Sequence, residues 1–197
     1  MKKKVLSIVA VVLVLCCAIG GTLAWLTDKT DEVKNTFSPS DINITLTETP
    51  NTDTDNDGKA DAWKADMIPG FSYTKNPVVT VEDDSVDCYL FVKFEENGNP
   101  STYLTYASTL TAANGWTQGD GTSIPSNVWY RVVKAGDTTK SWNLLDGNTI
   151  AVKDTVTKDN MADAAKAELV YTAYATQLYK SNGVEFTAAK AWANALA

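Results

Sequence analysis

Four aspartates at short regular intervals, Asp53, Asp55, Asp57 and Asp61, are the side chains of this 197-residue chain whose type and spacing most directly suggest chemistry. In Asp53-Thr54-Asp55-Asn56-Asp57-Gly58-Lys59-Ala60-Asp61 they occupy relative positions 1, 3, 5 and 9, with glycine at 6. Carboxylates at alternate residues of a tight loop turn their oxygens toward one centre, and the glycine permits the sharp bend, as in EF-hand-like or thrombospondin-like calcium loops. Position 12, where such a loop places a bidentate glutamate, is Lys64. The strongest ligand is thus replaced by a positive charge. Two readings stay open: a weak calcium site of the extracellular kind, or an Asp/Asn/Gly-rich loop that is simply solvated.

Histidine is absent from the chain. That removes Ser-His-Asp and Cys-His nucleophilic machinery together with the His-Glu-x-x-His zinc motif. A zinc site built from carboxylates and one thiol would be unusual. Adjacent acids occur at Asp83-Asp84 and Glu95-Glu96, but glycoside hydrolysis needs two carboxyls opposed across a cleft. Beside strands such pairs read as solvated residues. Gly98, Gly115, Gly119, Gly121 and Gly136 stand in turn contexts, without phosphate-loop or dinucleotide spacing. The expectation is a protein that is not an enzyme.

The elements that carry these residues are mostly short strands. Ile42, Ile44 and Leu46 alternate with polar residues, the period of a half-buried strand. Pro77 to Glu82 and Cys88 to Glu95 follow; in the second, Cys88, Leu90, Val92 and Phe94 share one face and Tyr89 and Phe91 the other, which marks a central strand. Val128, Tyr130 and Val132 alternate with Trp129 and Arg131, and Leu169, Tyr171, Ala173 and Ala175 with Val170 and Tyr174. Asp146-Gly147-Asn148 reads as the turn of a hairpin joining Lys140–Leu145 to Thr149–Val152. Tyr103 to Gln118 is ambiguous between helix and strand. Short helices are expected within Lys158–Lys166 and over Thr187–Leu196, the latter burying Ala189, Trp192, Ala193 and Leu196. The expected fold is all-β: an antiparallel β-sandwich of jelly-roll type over residues 41–197, with a polar insertion at 48–70 and short peripheral helices, including a C-terminal helix.

The front of the chain reads differently. Lys2, Lys3 and Lys4 precede a long aliphatic run that ends in Gly20-Gly21-Thr22-Leu23-Ala24. A basic tip, an apolar stretch and a small-x-small exit make Met1–Ala24 a signal peptide, cut between Ala24 and Trp25. The competing reading is a retained membrane anchor, since Val5 to Leu26 carries no charge and nears the length that spans a bilayer. Cleavage removes Cys16 and Cys17 and leaves Cys88 alone, so no internal disulfide can form; Cys88 reads as a small buried thiol. Losing three lysines from 17 basic residues leaves 14 against 24 acids, a charge of −10. Nucleic acid and anionic membrane surfaces, which favour lysine and arginine clusters, are not expected partners. Residues 25–40 should be an extended segment, with Trp25, Leu26, Val33 and Phe37 as its apolar points.

The junction Gly20-Gly21-Thr22-Leu23-Ala24-Trp25-Leu26-Thr27-Asp28, with Asn35-Thr36-Phe37 and Asp41-Ile42-Asn43-Ile44-Thr45-Leu46, resembles the TasA/camelysin family of exported Gram-positive matrix proteins. The likeness continues at Met67-Ile68-Pro69-Gly70, Lys75-Asn76-Pro77-Val78-Val79-Thr80-Val81 and Cys88-Tyr89-Leu90-Phe91-Val92-Lys93, and more loosely at Ala173-Tyr174-Ala175-Thr176-Gln177. It implies the same sandwich, release by a dedicated SipW-type signal peptidase, and a secreted structural role in the extracellular or biofilm matrix. Donation of the strand bearing Trp25, Leu26, Val33 and Phe37 to a neighbour would build a head-to-tail homopolymer. The alternatives are a cell-surface adhesin or glycan-binding module, which exposure of Trp116, Trp129 or Trp142 would favour, and a camelysin-like metallopeptidase, disfavoured by the absence of histidine.

Overall fold

The run Cys88-Tyr89-Leu90-Phe91-Val92, apolar at every position, has to be covered on both sides, and it is the strand around which the rest is built. A computed structural model describes residues 41–49 and 66–197. In chain order the strands are β1 (Ile44–Thr49), β2 (Ser72–Thr74), β3 (Asn76–Val81), β4 (Cys88–Asn97), β5 (Leu104–Thr105), β6 (Thr117–Gln118), β7 (Val128–Val133), β8 (Ser141–Asn143), β9 (Thr149–Val152) and β10 (Glu168–Gln177). Among the described residues three short helices accompany them: α1 (Pro100–Tyr103), α2 (Met161–Ala164) and α3 (Ala188–Ala195). The chain is mostly β, as expected.

The described strands form three antiparallel sheets, ordered β1-β3-β8, β10-β4-β7-β6 and β2-β9-β5. The pairing is nested: β2 joins β9, β3 joins β8 and β4 joins β7, like the arms of one long hairpin. Lys75 alone separates β2 from β3, and it is buried there with its ammonium 2.6 Å from Glu48. A buried cation needs such a partner, because taking it out of water unpaired is costly.

One face of β4 contributes Cys88, Leu90 and Val92 to a buried cluster with Val79 and Val81 of β3, Trp116, Val133 and Leu144. The other face presents Tyr89 and Phe91 to Val128, Leu178, Ala191 and Trp192. The expected central strand is therefore central in fact, with β10 on one side and β7 on the other. A third cluster, Leu104, Val152, Val156 and Ala164, lies under β5, β9 and α2.

Three expectations need correction. Lys140–Leu145 and Thr149–Val152 do not form a hairpin: β8 pairs with β3, whereas β9 pairs with β2 and β5. The connection between them carries Leu144 and Leu145, both essentially fully buried, and the Leu144 N–H donates to the Pro77 carbonyl at 2.9 Å. Core packing pins the chain there before the turn chemistry at Gly147 can fold it back. The buried stripe of α3 is Ala188, Ala191, Trp192 and Ala195, one residue away from the expected one, and Leu196 is exposed. The insertion does not begin at 48, since Glu48 and Thr49 still pair with Pro77 and Asn76. The short helix expected within Lys158–Lys166 is present as the single turn of α2, which buries only Ala164.

Candidate functional site

The calcium-loop residues Asp53, Asp55, Asp57 and Asp61 lie outside the described residues, as do Ala24 and Trp25 of the cleavage junction and Trp25, Leu26, Val33 and Phe37 of the expected donor segment. Among the described residues no three His, Cys, Asp or Glu side chains converge closely enough to share a metal ion. Asp83 and Asp84 sit in the exposed turn after β3, engaged by Lys140 at 3.4 Å and by the Asn43 amide at 3.1 Å. Glu95 and Glu96 are not in a loop; they belong to β4, and as neighbours on a strand they point to opposite faces. Lys93 holds Glu95 at 2.8 Å, and the Tyr106 hydroxyl donates to Glu96. Neither pair opposes its carboxyls across a cleft. Cys88 is buried and unbridged, and burial pushes its thiol up to about 11.

Backbone groups rather than side chains make the first notable surface. β10 pairs with β4 through all ten of its residues, from Glu168 opposite Asn97 to Gln177 opposite Cys88. It is also the border of its sheet, and among the described residues no strand pairs with its outer edge. Strand periodicity sends Tyr171 and Ala173 to the core shared with β3, and Tyr174 to the face covered by α3. Tyr171 stacks on Phe94 with centroids 4.8 Å apart, and Tyr174 meets Trp192 edge-on at 5.2 Å. Packing on both faces therefore holds a long edge in place. The Tyr171 hydroxyl is buried without a hydrogen-bond partner among the described residues, and that burial raises its pKa above the usual tyrosine value.

The second surface centres on a residue that the sequence reading passed over. Arg131 is the one arginine among 17 basic residues. On β7 its side chain lies on the face opposite Tyr130, beside two of the tryptophans singled out above. Its guanidinium carbon is 4.2 Å from the centre of the Trp142 ring and 5.0 Å from that of Trp116. The two indoles are nearly perpendicular, at 76°, so the guanidinium sits in a corner between them. Such contacts hold a cation by its attraction to the electron-rich ring faces. No acid completes the arrangement: the guanidinium forms no hydrogen bond or ion pair with the described residues, and Nη1 is buried without an acceptor. Burial lowers the Arg131 pKa, an effect partly offset by the nearby charge of Asp137.

Trp116 is 2% exposed, and Trp129 and Trp142 are half-buried against the same core. The exposed tryptophan platform that would have favoured a glycan reading is therefore not formed by these three residues alone. The signal that sequence offered for the corner was the uniqueness of Arg131 together with Trp129 beside it, but only folding brings Trp116 and Trp142 to it. Comparison with known protein families, curated proteins and solved structures finds no match for this chain.

Proposed function

We propose that this chain is an exported, non-catalytic structural subunit of an extracellular matrix, built on a jelly-roll sandwich and assembled head to tail by strand donation. The observation that carries the reading is the outer edge of β10, with which no strand among the described residues pairs. A long, flat strand edge is a template for pairing with another chain, and proteins that stay monomeric usually blunt or cover it. β10 offers ten residues of backbone with large side chains fixed on both faces. The segment Trp25–Phe37 is long enough to match it, is too polar to build a core, and carries Trp25, Leu26, Val33 and Phe37 as anchors. Donor and acceptor are different surfaces, so the contact is heterologous and propagates into filaments instead of closing. The nested pairing of β2 with β9, β3 with β8 and β4 with β7 supports the jelly-roll connectivity.

In this reading Met1–Ala24 directs export, a signal peptidase cuts before Trp25, and cleavage frees the donor strand. Calcium at Asp53, Asp55, Asp57 and Asp61 would be an accessory, weakly bound ion. The test is electron microscopy with light scattering on two forms of the protein, one beginning at Trp25 and one at Ser38. Filaments from the longer form alone support donation; filaments from both, or from neither at high concentration, overturn it. N-terminal sequencing of secreted material should begin at Trp25 or Leu26, and an intact Met1-led species in membranes would favour the anchor.

A further inference from the structure

We propose that the Arg131 corner is a binding site for a carboxylated sugar, taking one uronate residue of an acidic polysaccharide. Arg131, Val132, Asp137, Thr138, Thr139 and Trp142 line an open cleft of about 370 Å³, at the small end of the range for ligand clefts. Each wall supplies a different contact. A guanidinium is a planar fork whose parallel N–H bonds match a carboxylate, and in most proteins such a fork is paired with an acid. Here it is held against two indoles and left without an acceptor among the described residues. Lodging between the rings fixes the plane of the fork in advance, so little freedom remains to be lost when an anion docks.

The remaining residues narrow the anion. Thr138 and Thr139 are exposed hydroxyls that both donate and accept, which suits the hydroxyls of a sugar ring. Half-buried Trp142 offers the edge of an apolar surface for ring C–H groups. Asp137, fixed by accepting the Lys134 backbone N–H at 2.9 Å, lies on the rim. It repels a phosphate, with its greater charge, more than a singly charged carboxylate, and it can accept a sugar hydroxyl. The acidic balance of the whole chain opposes indiscriminate polyanion binding, so uronate has to be recognised locally. The cleft is separate from the β10 edge, and neither reading depends on the other.

The experiment is calorimetric titration of the full chain with trigalacturonate, its methyl ester and tripolyphosphate. Saturable binding of the acid is expected, with the ester about tenfold weaker because it cannot engage the fork as a charged pair. Arg131→Lys keeps the charge and loses the planar fork, and should weaken acid binding by a similar factor. Should that variant melt early, the exposed double change Thr138→Ala with Thr139→Ala carries the mutational arm and should weaken both acid and ester. Equal binding of acid and ester, no binding of either, or tighter binding of tripolyphosphate than of trigalacturonate would overturn the proposal. Filament formation by the form beginning at Trp25 is scored separately, so failure of one reading leaves the other legible.

Discussion

Phe91 and Trp192 meet with ring centroids 5.2 Å apart at 53°, a contact that fastens the C-terminal helix to the central strand. Phe91 is fully buried and Trp192 is 6% exposed. Tilted aromatic pairs of this kind add to the area they bury.

Trp192→Ala should therefore destabilise the fold by about 3 to 5 kcal/mol, the range for emptying a large aromatic site. Leu196→Ala, on a side chain that helical periodicity alone would have buried, should be close to neutral. Urea unfolding followed by tryptophan fluorescence and circular dichroism reads both. Equal losses would mean that the helix packs on the face first expected.

Gly98 ends β4 with φ at +67°, and a Cβ there would stand 2.1 Å from the Lys166 carbonyl oxygen. Both the backbone conformation and the space demand glycine. Gly98→Ala should cost more than about 1 kcal/mol, while Gly136→Ala, where nothing lies within 4 Å, should be neutral or slightly stabilising. Paired urea melts decide between these outcomes.

The Cys88 thiol, raised to about 11 by burial above all, is neutral in the folded chain at every physiological pH. An unfolded thiol ionises near its ordinary value of about 8.5. The folded pKa is the higher one, so this contribution to stability is complete below the unfolded value and is lost as pH rises toward about 11. Ellman's reagent at pH 8 should leave the native protein unlabelled and label it fully in urea. Rapid native labelling would show that β4 opens.

Millimolar calcium should raise the melting temperature if Asp53, Asp55, Asp57 and Asp61 bind it, because a ligand that prefers the native state stabilises it by mass action. Replacing Asp53 and Asp57 with alanine should abolish the gain. A wild-type chain whose melting point ignores calcium has a solvated loop there instead.

Several elements were determined by sequence alone, because their signal is local and redundant. In β4 every residue from Cys88 to Val92 is apolar, so no placement leaves either face in water. In β10 the alternation of Tyr171 and Ala173 with Tyr174 assigns the faces before any partner is known. The C-terminal helix announces itself through an alanine-rich run after Thr187, whose hydroxyl accepts the Lys190 N–H. That same richness hid which face it buries. Alanines at 188, 189, 191, 193 and 195 give no contrast, and the packing of Trp192 against Phe91 and Tyr174 chose the stripe.

Tertiary structure decided what depends on partners distant in sequence. Asp146-Gly147-Asn148 has the composition of a hairpin turn, yet buried Leu144 and Leu145 send the flanking strands to different sheets, because turn propensity is worth less than two leucines in a core. Trp116 lies in a stretch without clear periodicity and is nonetheless buried beside β3 and β4. Arg131, unremarkable in an alternating strand, becomes a caged cation only when β7, β8 and the segment before β6 converge, since its attraction to Trp116 and Trp142 acts over a few ångströms and leaves no trace in the order of residues.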